Sequence, residues 1–352
     1  MAMASILRLG HSPDPDDAFM WFPLLGEGLI DTGGYRFAHV IEEIESLNRR
    51  ALKAELEITA LSIHAFAHVA DRYALLNAGS SMGEGYGPVV VSRAPLAPAR
   101  LAGVTVAIPG ELTSAALALR LHTPGVMTAT APFDAIPALV AGGQYEAGVL
   151  IHEGQLTYPQ AGLHKVVDLG EWWAEETGGL PLPLGGNAIR RDLGEPAMAR
   201  VARILEASIR YSLGHRDEAL VHAMRYGRGL DPALADRFVA LYVNDRTLDY
   251  GDAGRRSVQL FLDRAAEAGG GATPRARGGR GRRGGLPRSR AGKITGCSAD
   301  GAAASPPCWR GAGGRSGPSP LRRRGRGRCG RPLGFAGARR GARRGRRGRR
   351  SR

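Results

Sequence analysis

Hydrophobic periodicity runs through this chain to about residue 269 and then stops, and that break bounds what the chain can fold into. Beyond it the sequence reads Gly-Gly-Arg-Gly-Arg-Arg-Gly-Gly (278–285), Arg-Arg-Arg-Gly-Arg-Gly-Arg (322–328) and Gly-Ala-Arg-Arg-Gly-Arg-Arg-Gly-Arg-Arg (341–350), with no valine. Such a stretch cannot bury enough apolar surface to offset the entropy of ordering it, so 271–352 is expected to be a disordered basic tail. The 270 residues before it suffice for one large or two medium cores.

The break also redistributes charge. The whole chain carries 48 Lys+Arg against 33 Asp+Glu, a balance that by itself suggests nucleic acid or a membrane surface. Residues 271–352 hold 25 of those bases and one acid, Asp300, leaving 23 bases against 32 acids in an acidic body. All three cysteines (Cys297, Cys308, Cys329) lie in the tail, so the body has no disulfide framework, thiol nucleophile or cysteine-ligated zinc. Three readings of the tail compete: an RGG-like arm binding RNA non-specifically, a solvated extension, or an out-of-frame translation of GC-rich DNA. The third is preferred, because only Trp309 and Phe335 are present to stack on bases. No run reaches the ~20 apolar residues that span a bilayer, and the N-terminus shows no signal peptide, so the expected location is the cytoplasm with no membrane partner.

The body alternates short β-type runs with helical patterns, which predicts an α/β fold. Expected strands are 6–10, 35–41, 56–61, 87–92, 104–108, 128–131 and 147–151, with a return segment at 182–190. Helices are expected at 17–25, 44–53, 113–121 and 133–141, and long ones at 197–215, 217–226, 232–243 and 252–268. We read two lobes around a cleft, the architecture of the type II periplasmic-binding-protein-like class. Lobe 1 comprises 1–92 plus 185–270, and lobe 2 is inserted over 93–184.

Ligands of α/β lobes meet the carboxyl ends of strands and the N-termini of helices, and four segments fit. Ser12-Pro-Asp-Pro-Asp-Asp17 follows the first strand. Asp16 or Asp17 there is expected to cap the next helix, and three carboxylates in no defensible metal loop give no metal site. Thr59-Ala60-Leu61-Ser62-Ile-His64 places Ser62 at a strand-to-helix junction, as an N-cap or an anion contact. His64 and His68, at i and i+4, have zinc-compatible spacing but no third ligand, and read better as a helix-face pair. Ile108-Pro-Gly-Glu-Leu-Thr113-Ser114-Ala115 puts two hydroxyls at a helix start, an anion cradle without the Gly-Lys-Ser/Thr of a Walker loop. His152 directly follows a buried strand, where an imidazole is either a structural hydrogen-bonding group or a base facing the cleft.

These segments, with Gly-Glu-Gly-Tyr-Gly-Pro-Val-Val-Val (83–91), His-Glu-Gly-Gln-Leu-Thr-Tyr (152–158) and Leu-Pro-Leu-Gly-Gly-Asn (182–187), together resemble the 1,4-dihydroxy-6-naphthoate synthase family. The resemblance runs in order through the body and stops at the tail. It implies a carbon–carbon lyase of menaquinone biosynthesis (the futalosine pathway) acting on cyclic dehypoxanthinyl futalosine, a small acidic substrate, with no cofactor. It implies His152 as proton acceptor, with Ala60, Leu61, Ser62, Thr113, Ser114 and Ala115 as substrate-binding residues. Asp14 and Asp16 stand where the family pattern near the N-terminus carries Cys and Asn, and Asp16 is kept as a substrate-binding candidate. The alternatives are a non-catalytic solute-binding protein of the same fold and a sister enzyme of the pathway, chorismate dehydratase. A homodimer is the default for such an enzyme.

Overall fold

The computed structural model describes residues 5–26, 28–226 and 231–269 and the backbone of Gly296–Cys297, all within one compact unit, Met1–Gly311. From the N-terminus run β1 (Ser5–His11), α1 (Pro15–Trp21), β2 (Tyr35–Ile41), α2 (Ile44–Ala51), β3 (Ile58–Ser62), α3 (Ile63–Phe66), β4 (Tyr73–Leu76) and β5 (Ser81–Gly83). The chain continues through β6 (Val89–Ser92), β7 (Thr105–Ile108), α4 (Ser114–His122), β8 (Met127–Thr130), α5 (Ile136–Ala141), β9 (Ala147–Leu150), α6 (Gly154–Thr157), β10 (His164–Asp168) and α7 (Leu169–Thr177). It returns through β11 (Leu182–Arg190), followed by α8 (Glu195–Gly214), α9 (Arg216–Ala223), α10 (Pro232–Tyr242), α11 (Asp245–Leu248) and α12 (Gly251–Glu267). A two-residue strand, β12 (Gly296–Cys297), comes last.

The strands form two sheets. The first has the order β12-β4-β11-β3-β1-β2, with β5 also on β11, and the second β10-β6-β9-β7-β8. In the first, β2, β1 and β3 are parallel and β11 is antiparallel to β3 and β4. In the second, β8, β7 and β9 are parallel and β6 is antiparallel to β9 and β10. β6 and β11 are the strands on which the chain arrives from the other sheet. The central strands β3, β6 and β9 are buried along their whole length, as expected of sheets covered on both faces.

One apolar cluster runs across both sheets, joining Leu61, Ile63 and Phe66 to Val106, Ile108, Leu117 and Val149, and on to Trp173, Val258 and Phe261. Within it, the Trp173 indole donates to Ser257 Oγ (2.9 Å), which donates to the Pro181 carbonyl (2.6 Å). Helix α12 is thereby tied to α7 and to the chain entering β11. A second cluster packs α1 against α8, α9 and α10 through Phe19, Trp21, Leu205, Ile209 and Val239.

Most expected elements are present with ends shifted by one to three residues, and β2 and β11 match theirs. The strand read at 87–92 pairs in the second sheet, so the crossing between sheets falls between β5 and β6, ahead of residue 92. Six elements of the body had no expectation: β4, β5, α6, β10, α7 and α11. The tail reading for 271–352 lies outside the described residues except at Gly296–Cys297, which pairs parallel with β4. Among the described residues no helix is long and apolar enough to cross a membrane.

Candidate active site

The four segments singled out in the sequence converge on one cavity of about 110 Å³, and all eight proposed site residues line it: Asp16, Ala60, Leu61, Ser62, Thr113, Ser114, Ala115 and His152. The parallel strands explain the convergence, because β1, β3, β7 and β9 all end on the side where their following turns meet.

The turn after β1 is more tightly built than a capping turn. Ser12 donates both its amide and its hydroxyl to Asp17 Oδ2, each at 2.7 Å. Neither Asp16 nor Asp17 caps α1: both lie inside its first turn, and Asp14 occupies the N-cap position without a side-chain capping bond. The caps fail because the helix starts at Pro15, two residues earlier than a cap at Asp16 would allow, and the Asp17 carboxylate turns back to Ser12. Asp16 is 8% exposed; its Oδ2 accepts from Ser81 Oγ (3.4 Å), while Oδ1 has no protein partner. Burial pushes the Asp16 carboxyl well above the usual carboxylate range, and the charges of Asp17 and Asp14 push the same way. Burial raises Asp17 too, opposed by His11 and the bonds from Ser12.

Ser62 sits at the N-cap of α3 but its side chain does not cap that helix. Asn48 from α2 accepts the Ser62 amide (2.9 Å) and donates to Ser62 Oγ (3.1 Å). The Ser62 hydroxyl proton is left for a ligand. At the start of α4, Thr113 is a true cap: Oγ1 accepts from the Ala116 amide (3.2 Å) and donates to the Gly110 carbonyl (2.8 Å). Ser114 Oγ donates to the Leu184 carbonyl (2.5 Å) and accepts the His64 amide (3.3 Å). Both hydroxyls of the expected cradle are therefore committed within the protein. The first-turn amides of Ser114 and Ala115, which have no acceptor in their own helix, are what α4 offers an anion.

His152 has φ of +51°, in the left-handed region that a β-carbon disfavours. Its ring is held edge-on by Phe133 at 5.1 Å, and Nδ1 lies 3.1 Å from Asp14 Oδ2. Nε2 is buried without a protein partner. Gln155 fixes the backbone: with its amide turned to satisfy both ends, Oε1 accepts the His152 N–H (3.1 Å) and Nε2 donates to the Gly87 carbonyl (2.5 Å).

Sequence reasoning missed the rest of the wall. Leu184–Asn187 of β11 line the cavity, and Phe238 and Tyr242 of α10 reach it from a helix far along the chain. The Tyr242 hydroxyl contacts the Gln155 amide (2.7 Å), and burial raises its pKa. Asn187 donates to the Gly79 carbonyl (2.9 Å) and leaves a buried Oδ1. Gly79, at φ +84°, cannot be replaced freely, since a β-carbon would stand 2.5 Å from Asn187 Nδ2. The Leu-Pro-Leu-Gly-Gly-Asn segment had marked β11 for resemblance; nothing in spacing marks α10.

His64 and His68 pack ring against ring at 5.6 Å, and burial lowers both, His64 to about 4. Among the described residues no group of three or more His, Cys, Asp or Glu could hold a metal ion.

A family model described as menaquinone biosynthesis matches residues 7–267. The 1,4-dihydroxy-6-naphthoate synthase of Thermus thermophilus is 43% identical over 269 residues, covering 76% of this chain and 96% of that protein. The enzyme of the same name from Streptomyces coelicolor is 38% identical over 272 residues, covering 76% and 95%. A crystal structure of an Archaeoglobus fulgidus protein superposes with a TM-score of 0.71 at 43% identity, over 75% of this chain and 98% of that one. The alkanesulfonate-binding protein of Xanthomonas axonopodis superposes at 0.56 with 13% identity, over 75% and 94%, which shows a shared periplasmic-binding-protein-like fold and nothing more. Matched along nearly the whole body and along nearly the full length of both enzymes, the chain belongs to the 1,4-dihydroxy-6-naphthoate synthase family of menaquinone biosynthesis.

Proposed function

We propose that the chain is a cytoplasmic carbon–carbon lyase that converts cyclic dehypoxanthinyl futalosine to 1,4-dihydroxy-6-naphthoate with loss of a sugar-derived fragment, and that His152 is its proton acceptor. The observation that carries this reading is the bare, buried Nε2 of His152, on a residue held in a disfavoured backbone conformation at the wall of a cavity shared with Ser62 and the start of α4. Strain of this kind persists where the surrounding structure imposes it, and it clusters at reacting centres.

The residues divide the work by chemistry. The amides of Ser114 and Ala115 and the hydroxyl of Ser62 hold a carboxylate of the substrate, helped by the positive end of α4. His152 Nε2 takes a proton from a hydroxyl or carbon next to the breaking bond. With a hydroxyl proton removed, its oxygen closes to a carbonyl on the departing fragment as the bond breaks, the bond's electron pair passes to the neighbouring carbonyl as an enolate, and the imidazolium returns its proton to that enolate. Phe238, Tyr242 and Ile151 give the cavity an apolar wall that limits the water beside the reactive intermediate. A protein that only bound a solute would gain nothing from a strained histidine with an open nitrogen.

The test is product analysis with the purified protein and the cyclic substrate. The expected result is 1,4-dihydroxy-6-naphthoate, with His152→Ala folded and slower by on the order of 10²–10⁴-fold. No product from the unaltered chain, or near-normal kcat in His152→Ala, overturns the reading.

A further inference from the structure

Asp14 is fully buried at the N-cap position of α1. An aspartate there ordinarily turns its carboxylate to the open amides of its own helix. Here no such bond exists, and Oδ2 instead lies 3.1 Å from Nδ1 of His152, on a turn that follows a strand of the other sheet. A buried carboxylate that forgoes its local partner for a distant imidazole is held there by the site as a whole.

We propose that Asp14 is the positioning residue for His152: it accepts the Nδ1–H, fixes the tautomer that leaves Nε2 bare, and stabilises the imidazolium that forms on proton transfer. The proposal rests on His152 being the proton acceptor. Three contacts then define the ring, each doing something different. Phe133 packs its edge, Gln155 holds the backbone amide, and Asp14 sets which nitrogen is bare. A neutral imidazole carries one proton on one of two nitrogens, and the hydrogen bond made by the first decides the state of the second. A carboxylate on Nδ1 also favours the protonated ring as it forms, with no covalent role and no proton passed to Asp14 itself. The other titratable groups of the cavity wall are Asp16, Asp17 and Tyr242; Glu153 is next to His152 in the chain, and Asp134 is next to Phe133, which packs on the ring. Burial raises the pKa of both Asp16 and Asp17. Asp14 is the carboxylate in direct contact.

The test begins on the unaltered full chain, with nitrogen-15 NMR of labelled histidines and His152 assigned by its loss in His152→Ala. The expected state is a protonated Nδ1 and a bare Nε2. The opposite tautomer overturns the proposal without any change at Asp14. In Asp14→Asn, which keeps size and loses charge, the imidazole is expected to titrate at lower pH. The acid limb of kcat/KM should move down with it, and kcat should fall about tenfold or more with KM little changed. An unmoved titration, or a loss of activity with the acid limb in place, marks Asp14 as merely structural and also overturns the proposal. If the titration shifts while the unaltered chain makes no product, the pairing stands and the lyase assignment falls. If Asp14→Asn does not fold, the tautomer of the unaltered chain decides.

Discussion

Asn48 grips Ser62 from both sides, accepting its amide at 2.9 Å and donating to its hydroxyl oxygen at 3.1 Å. Because the oxygen already accepts, the hydroxyl proton is the part left to a ligand. Ser62→Ala should therefore raise KM by the loss of a charge-assisted contact, about 1.5–3 kcal/mol, with the fold intact. Asn48→Leu should instead lower stability, by about 1–3 kcal/mol, since it strands the buried Ser62 amide. Substrate titration and denaturant melts separate the two; unchanged KM in Ser62→Ala would move the carboxylate site elsewhere.

Ser114 calls for the opposite expectation. Its hydroxyl donates to the Leu184 carbonyl and accepts the His64 amide, so it ties α4 to β11 and α3 rather than standing open to the cavity. Ser114→Ala should cost about 1 kcal/mol of stability and raise KM less than Ser62→Ala does. A larger KM effect from Ser114→Ala would show that the hydroxyl leaves Leu184 to bind substrate.

Asp16 has a folded-state pKa above its unfolded one, raised first by burial and then by Asp17 and Asp14. The sign follows: the stabilisation from its protonated form is complete below the unfolded value of about 3.9 and is lost as pH rises through the folded value. Asp16→Asn carries no such penalty and should be more stable than the unaltered chain at neutral pH, the advantage vanishing in acid. The amide also donates as a protonated acid does, so activity should survive. Denaturation at two pH values checks this, and equal stability at both would mean that Asp16 titrates normally.

The left-handed backbone of His152 separates structure from chemistry. His152→Ala and His152→Gly should both be inactive, but the glycine variant should be the more stable by about 1 kcal/mol, because it removes the β-carbon from a disfavoured conformation. Melting both variants side by side is sufficient. An alanine variant as stable as the glycine one would mean that the turn relaxes once the imidazole is gone.

What the sequence made legible was local. The alternation and β-branching of β2, the strand-to-helix junction at Ser62 and the glycine turn after β7 pointed to strands and turns that the structure contains. The placement of Ser62, Thr113–Ala115 and His152 after strands was enough to bring them to one cavity. Elements without a pattern were lost: Tyr73–Leu76 is four residues buried on both faces, with no alternation to read. His164–Asp168 is a short strand that opens with exposed His164 and Lys165 and buries only Val166 and Asp168 fully. The Asp14–His152 contact joins residues far apart in the chain, and the reach of Tyr242 depends on how α10 packs on α1, so neither leaves a mark in spacing. The hydroxyls of Thr113 and Ser114 were misjudged because a sequence shows which groups stand at a helix start, not which carbonyls already hold them.

The strand orders of the two sheets are the same plan used twice. β2-β1-β3-β11-β4 in one corresponds, strand for strand, to β8-β7-β9-β6-β10 in the other. The turn bearing Asp14, Asp16 and Asp17 after β1 is thus the counterpart of the turn bearing Thr113 and Ser114 after β7. Ser62 at the end of β3 is likewise the counterpart of the Ile151–His152 step after β9. The scaffold is a near-duplicate facing itself, and by topology alone it would offer a ligand two equivalent halves. All of the handedness that a bond-breaking site requires, an acidic corner against an anion-binding one and a hydroxyl against a base, is written into four short turns.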